Sequence, residues 1–132
     1  GIGGWGAVLM FNGFEKRISG AENSTTNNRM EVTAVIEGLK CLKEPCSVDI
    51  YSDSAYTVNA FNEGWIYGWE KAGFKKPDNK PVLNTDLWKE LLNLTRMHDV
   101  KFIKVKGHAD NEYNNICDKL ATDAVKKLRS EL

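Results

Sequence analysis

Two carboxylates in the first half of the chain stand where burial is expected. Glu31 lies on the apolar face of a predicted helix, in step with Val35, Leu39 and Leu42. Asp53 follows the predicted strand 47–52, at the carboxyl edge where open α/β sheets place their binding and catalytic sites. Carboxylates in such positions are candidates for metal binding or proton transfer.

A third carboxylate, Asp118, repeats this pattern near the end of the chain. It lies beside an apolar helical stripe formed by Ala121, Val125 and Leu128. Gathering several like charges near one sheet edge is costly unless a positive charge compensates them. An oxygen-only ligand set without Cys or His spacing favours Mg²⁺ or Mn²⁺ over zinc. The three acids therefore predict a divalent-cation site.

Each acid also has a purely structural interpretation. Glu31 could complete a capping box with Asn28, three residues earlier. Asp53 could cap the helix that begins near Ser54. Asp118 could be a solvated acid on a helix surface. These alternatives are left open by the sequence, and only geometry can decide among them.

His108 is the candidate proton carrier. It lies in "KVKGHAD", between a predicted strand and the last predicted helix, and a loop histidine near carboxylates can exchange protons at neutral pH. A surface or capping role is the alternative. His98, in "RMHDV", has no such context, and a structural role is predicted for it.

The elements that position these residues follow from local patterns. Asn12-Gly13 is a strong hairpin signal between two strands within 6–22. The predicted order is hairpin, helix, strand, helix, connector, helix, strand, helix, with these later elements at 25–44, 47–52, 54–64, 65–84, 85–97, 100–107 and 110–132. This order predicts one α/β domain with helices on the faces of a mixed sheet.

The composition of the chain restricts its possible partners and cofactors. The chain has 132 residues and a formal net charge of zero, so nothing global indicates a nucleic-acid or membrane partner. Three cysteines without a C-x-x-C motif predict reduced thiols in a cytoplasmic protein. The opening "GIGGWG" matches G-x-G-x-x-G, but a strand follows it where a dinucleotide site needs a helix. A glycine-rich turn leading into a strand is predicted instead.

Four longer motifs resemble one family. "TTNNRMEV", "YSDSAY", "WIYGWEKAGFKKPDNKPVLNTDLW" and "VKGHADNEYNNICDKLA" resemble type 1 ribonuclease H in its bacterial form, in order over nearly the whole chain. The resemblance implies a ribonuclease H-like fold, with a mixed five-stranded sheet flanked by helices. It also implies an endonuclease that cleaves the RNA strand of RNA–DNA hybrids, leaving 5′-phosphate and 3′-hydroxyl ends.

The resemblance implies roles for the candidate residues. Glu31, Asp53 and Asp118 match three of the family's four acidic residues, which bind two Mg²⁺ ions, with Mn²⁺ as a substitute. His108 matches a histidine that assists proton transfer or product departure. The fourth acid belongs to a first strand ending in "DGS", and the resemblance implies that this central strand is absent from these 132 residues.

Substrate contacts carry over in the same way. The resemblance assigns hybrid binding to Thr26, Asn27, Asn28 and Asn114, and to a basic protrusion with Trp65, Trp69, Lys71, Lys75, Lys76 and Lys80. The two tryptophans are expected to pack the protrusion, and the four lysines against Asp78 form a local positive patch. Three positions depart from the family pattern and predict weaker binding of the hybrid: Ala55, Glu70 and Ala72.

Three functional hypotheses remain. The first is the metal-dependent hybrid ribonuclease, a monomer when complete. The second is a catalytically impaired hybrid-binding fragment, or one piece of a split enzyme complemented by an N-terminal segment. The third is the ribonuclease H domain of a reverse transcriptase, against which the lack of any polymerase segment in the sequence argues.

Overall fold

A tight hairpin opens the fold. Strands β1 (Gly3–Phe11) and β2 (Phe14–Glu22) pair antiparallel, with Phe11 opposite Phe14. Asn12 and Gly13 have φ angles of 47° and 83°, as a two-residue type I′ turn requires. The hairpin predicted from Asn-Gly is confirmed. The structure is a computed structural model that describes residues 1–107 and 110–132.

The rest of the chain alternates helices and strands. It contains α1 (Asn27–Lys40), β3 (Ser47–Ser52), α2 (Ala55–Asn62), α3 (Trp65–Lys71), α4 (Thr85–Arg96), β4 (Asp99–Lys104) and α5 (Glu112–Ser130). The predicted order is confirmed, with β3 at the predicted bounds. The connector is the exception, because its first third forms α3. The N-cap residue of that helix is Gly64, which has no side chain to accept a hydrogen bond from a helix N–H. The sequence therefore contains no capping signal for the start of α3.

The four strands form two sheets, β1–β2 antiparallel and β3–β4 parallel. The hairpin register turns the backbone groups of Gly4, Gly6 and Val8 away from β2. The Cys46 and Ser52 carbonyls accept hydrogen bonds from the β4 side. Because backbone groups alternate along a strand, those of Ser47, Asp49 and Tyr51 face away from β4. The single five-stranded sheet implied by the resemblance is therefore not formed by the described residues, whose two sheets each present an edge that no described strand covers.

The buried core lies between α1, α2, α4 and the β3–β4 sheet. Its centre is Trp88, whose side chain contacts Tyr56 and Trp69 with ring centroids 5.1 and 5.5 Å apart. Phe61 and Phe102 stack at 4.3 Å and connect α2 to β4. The side chains of β1, β2 and α5 are half-buried or exposed throughout the described part of these elements.

The opening glycines are part of β1, so the predicted turn is wrong. They allow α5 to lie directly on the strand, because a Cβ at Gly4 would be 2.4 Å from the Ala121 carbonyl oxygen. A Cβ at Gly6 would be 2.5 Å from the Cys117 carbonyl oxygen. The glycines therefore set the depth at which α5 packs, and with it the position of Asp118.

The structure agrees with two other predictions, one for the cysteines and one for His98. Cys41, Cys46 and Cys117 are half-buried free thiols, as predicted. His98 accepts a hydrogen bond at Nδ1 from the Cys46 backbone N–H, 3.0 Å away, which agrees with a structural role. No helix in the ranges 1–107 and 110–132 is both long and apolar enough to cross a membrane.

Candidate active site

The three predicted acids come from three different parts of the fold, and their charges act on one another. Glu31 lies on α1, Asp53 follows β3, and Asp118 lies on α5. Burial raises the pKa of Glu31, and the charges of Asp53 and Asp118 raise it further. Partial loss of hydration, followed by the charge of Asp53, raises the pKa of Asp118. Asp53, with the two carboxylates whose pKa its charge raises, forms a candidate site for a cation.

Two structural alternatives are wrong. Thr26 caps α1, accepting a hydrogen bond from the Arg29 N–H at 3.2 Å, so Glu31 is not the partner of an Asn28 cap. Ser54 caps α2 by accepting from the Thr57 N–H, also at 3.2 Å, so the cap is not Asp53. Both carboxylates are half-buried and left without a capping role.

Asp118 occupies the solvent-facing side of the site. Its side chain is exposed, and it makes no ion pair within the described parts of the chain. The exposure of Asp118 agrees with the solvated-acid interpretation. That interpretation does not account for its neighbour, because the nearby charge is the carboxylate of Asp53. Asp118 therefore forms the exposed rim of the cluster, where a negatively charged partner would need an intervening cation.

The segment after β4 closes against Asp53. A Cβ built on Gly107 would lie 2.7 Å from Asp53 Oδ2 and 3.6 Å from Asn114 Nδ2. Asn114 is thus placed beside the acids, as its assignment requires. His108 is the next residue after Gly107, and its side chain lies outside the described residues.

Cys117 is the residue that sequence analysis missed. Burial raises the pKa of its thiol, and so do the charges of Asp118, Asp53 and Glu31, while the nearby Val8 backbone N–H lowers it. The thiol therefore lies among the acids, at the uncovered edge of β1. The available signal was its position next to Asp118 on a half-buried helical face.

The acid cluster fits a divalent cation in the type of its donor atoms. Carboxylate oxygens suit Mg²⁺ and Mn²⁺. Among the residues with described positions, no three acidic, histidine or cysteine side chains converge into a ready coordination shell. Glu31, Asp53 and Asp118 are still the candidate ligands, because the charge of Asp53 acts on both of the other carboxylates.

Mutual repulsion among the acids leads to a stability prediction. Glu31→Gln is expected to raise the free energy of unfolding by about 0.5–1 kcal/mol in metal-free buffer, because one of three like charges is removed. Urea denaturation measures the change. Glu37→Gln is the matched control on the same helix, and it is expected to lower stability slightly, because Glu37 lies 3.6 Å from Lys40. A loss of stability in Glu31→Gln would show that the carboxylate is favourably paired.

The predicted hybrid-contacting residues lie at the start of α1, with Thr26 as its N-cap. Thr26, Asn27 and Asn28 are all exposed there. They form the first turn of a 14-residue helix whose N–H groups and dipole favour a phosphate. This surface is compatible with the contacts that the resemblance implies.

The lysines form a second exposed surface. Lys71, Lys75, Lys76 and Lys80 are all exposed, and the last three lie on a small hairpin in which the Lys76 N–H donates to the Lys80 carbonyl at 2.8 Å. Trp69 and the buried Phe74 fix this segment to the core. Trp65 does not pack as expected, since 48% of its surface is exposed.

Glu70, one of the positions that depart from the family pattern, forms an ion pair. Arg96 of α4 donates to both Glu70 carboxylate oxygens, at 2.6 and 2.7 Å. This bond lowers the pKa of Glu70. The position therefore ties α3 to α4, where a lysine would have added charge to the surface. Ala55 and Ala72 are exposed, and nothing in the structure gives them a further role.

Comparison with known proteins decides the family. A family model for RNase H matches residues 1–126. The chain belongs to the ribonuclease H family. A Ribonuclease H from Caldanaerobacter subterraneus is 61% identical over 127 residues, covering 96% of this chain and 83% of the relative.

Solved ribonuclease H structures confirm the α/β fold. LC9-RNase H1, a type 1 RNase H, superposes with a TM-score of 0.76 at 24% identity, covering 96% of this chain and 71% of that one. A foamy viral protease-reverse transcriptase in complex with RNA/DNA hybrid gives a TM-score of 0.78 at 25% identity, covering 94% of this chain and 17% of that one. The ribonuclease H assignment therefore rests on sequence and fold together.

Proposed function

We propose that this ribonuclease H hydrolyses the RNA strand of RNA–DNA hybrids with the help of divalent cations, leaving 5′-phosphate and 3′-hydroxyl ends. The observation that carries the proposal is the charge interaction of Asp53 with both Glu31 and Asp118, which come from three parts of the fold. The viral relative that was solved with an RNA/DNA hybrid supports the substrate class. The 61% identity to a bacterial Ribonuclease H supports the reaction.

The acids would hold two Mg²⁺ ions, or Mn²⁺ in their place. Bound Mg²⁺ supplies charge neutralisation for a phosphodiester and lowers the pKa of water. Asp53 is half-buried, and its charge raises the pKa of both Glu31 and Asp118. It would therefore be the central ligand, with Glu31 deeper and Asp118 at the rim. By resemblance, His108 would carry a proton to or from the site.

Two surfaces would bind the hybrid. Thr26, Asn27 and Asn28 would contact the DNA strand and the minor groove, with Asn114 beside the acids. The protrusion would follow the DNA phosphates through its exposed Lys71, Lys75, Lys76 and Lys80, with Trp65 and Trp69 at its base. Contacts to 2′-hydroxyl groups would supply the requirement for RNA.

We also propose that a further strand completes the sheet between β1 and β3. Both strands present edges that no described strand covers, and unpaired backbone groups inside a fold are unfavourable. A strand pairing with both edges would yield the five-stranded sheet of the family in a single domain, and would bring a fourth acid to the cluster. A monomeric cytoplasmic enzyme with reduced thiols is the form we expect.

The substrate class can be tested directly. With Mg²⁺ present, the protein is expected to cut RNA in a hybrid at least about 100-fold faster than the same RNA alone or in duplex RNA. Chelation of Mg²⁺ is expected to abolish cleavage, and added Mn²⁺ to restore it. The measurement is gel analysis of end-labelled RNA, with 5′-phosphate ends identified by phosphatase sensitivity.

A negative result would distinguish the alternatives. Hybrid binding without cleavage, in the presence of either metal, would favour the hybrid-binding fragment. Equal cleavage of hybrid and duplex RNA would contradict the proposed specificity.

A further inference from the structure

A polar network joins three helices at one end of the domain. Arg29 donates to both oxygens of Asp86, at 3.0 and 2.8 Å, and from the same guanidinium to Asn84 Oδ1 at 3.1 Å. Asn84 then donates from Nδ2 to the Tyr56 hydroxyl at 2.8 Å. We call these four residues the Arg29 clamp. It connects α1, α2 and the start of α4.

The clamp lies between the two surfaces proposed to bind the hybrid. On the α1 side, residues 26–28 immediately precede Arg29. On the α4 side, the lysine segment ends a few residues before Asn84, and the contact of Trp69 with Trp88 fixes that segment to α4. Any rotation of the first turn of α4 relative to α1 would therefore change the spacing of the two surfaces.

The geometry of the clamp is suited to fixing direction. The two-pronged bond between Arg29 and Asp86 defines a plane as well as a distance. Both ends of the Asn84 amide are engaged laterally, so this residue does not cap α4 with its side chain, although it occupies the N-cap position with φ 61°. The hydrogen bond from Arg29 also lowers the pKa of Asp86, which keeps the pair charged.

The ion pair of the clamp contributes little to the stability of the fold. The side chains of Arg29 and Asp86 are 30% and 65% exposed, and ion pairs at such positions add little stability. Beneath them, Ile36 and Leu91 are buried in the core that joins α1 to α4. A network that spans three elements without being needed for packing calls for another role.

We propose that Asp86 is a positioning residue that, through Arg29 and Asn84, holds the residue 26–28 turn and the lysine segment at the spacing of one hybrid. The inference rests on the proposed function, since it assumes that both surfaces bind the same nucleic acid. Asp86 itself does not touch the substrate in this scheme. It sets how many lysines can engage phosphates once the turn is docked.

The test measures coupling between the clamp and the lysines. Asp86→Asn removes the charge, and Arg29→Lys keeps the charge but removes the fork. Each is expected to raise KM for a hybrid about three- to tenfold, within the range of coupling between neighbouring groups, and to leave kcat within about twofold. Asp123→Asn is the control, because Asp123 forms an exposed pair with Lys119 on α5.

The decisive readout is a double-mutant cycle in metal-free hybrid binding. Lys75→Ala with Lys76→Ala is expected to weaken binding in the unmodified protein and to lower the salt slope by about 0.9 per lost phosphate contact. In the Asp86→Asn and Arg29→Lys backgrounds, the same lysine changes are expected to have less than about half that effect.

Three outcomes would overturn the inference. One is a lysine effect of equal size with and without the clamp. Another is a fall in kcat at constant KM that parallels a lower urea midpoint, which would assign the clamp to structure alone. The third is a change in Asp123→Asn as large as that in Asp86→Asn. Failure of the unmodified protein to bind a hybrid would instead contradict the proposed function.

Discussion

Asp53→Asn is expected to lower kcat for RNA cleavage on the order of 1000-fold, equivalent to about 4 kcal/mol of transition-state stabilisation. The reason is its place between the other two acids, because its charge raises the pKa of both Glu31 and Asp118. An amide at this position keeps the shape of the side chain but loses the charge that holds a cation. The assay is single-turnover cleavage of an end-labelled hybrid with saturating Mg²⁺.

Binding separates this effect from unfolding. Asp53→Asn is expected to bind hybrid in metal-free buffer as tightly as the unmodified protein or more tightly, because removing a carboxylate lessens repulsion of phosphate. Asp49→Asn is the matched control, since Asp49 is an exposed acid on β3, the strand that Asp53 follows. Cleavage by Asp53→Asn at the unmodified rate would contradict the assignment of the acid cluster as the active site.

Gly6→Ala is expected to cost about 2–4 kcal/mol of unfolding free energy, because its Cβ would lie 2.5 Å from the Cys117 carbonyl oxygen and 2.7 Å from the Leu120 Cβ. Backbone atoms cannot rotate away, so α5 must lift from β1. Asp118 follows Cys117 on that helix, and cleavage is therefore expected to fall together with stability. Urea denaturation followed by circular dichroism measures the first effect.

Gly38→Ala provides the contrast within the same chain. Gly38 lies in α1, and a Cβ there would meet no atom within 4 Å. This substitution is expected to stabilise the protein by about 0.5–1 kcal/mol through a lower entropy of the unfolded chain. A Gly6→Ala variant as stable as Gly38→Ala would show that α5 does not depend on close contact with β1.

The parts of the fold that sequence predicted are those with local causes. Asn12-Gly13 produces its turn through two positive φ angles, and strand 47–52 is bounded and β-branched, so both were predictable from neighbouring residues alone. The parts that sequence missed depend on distant residues. Gly4 and Gly6 have a poor intrinsic preference for strands, yet they pair in β1, where the absence of a Cβ lets α5 pack closely.

The same division applies to the site. Periodicity placed Glu31 and Asp118 beside apolar stripes, and strand position placed Asp53 at a sheet edge. Whether they meet depends on the packing of α5 across β1, which no local pattern reports. The cap of α1 shows the limit, since Thr26 and Asn28 are both good capping residues and only the backbone geometry selects Thr26.

The uneven burial of the fold places the acids of the cluster in parts of the chain that are packed to different extents. Glu31 and Asp53 belong to the elements around the buried core of Trp88 and Leu91, whereas Asp118 belongs to α5, which has no fully buried side chain. Segments with few buried contacts open at lower free energy than the whole domain, and their amides exchange hydrogen sooner. A local opening of α5 and the hairpin would thus dismantle the site while most of the domain stayed folded. A ligand bound to all three acids would then stabilise the closed state, and it would slow amide hydrogen exchange in α5 more than in α1.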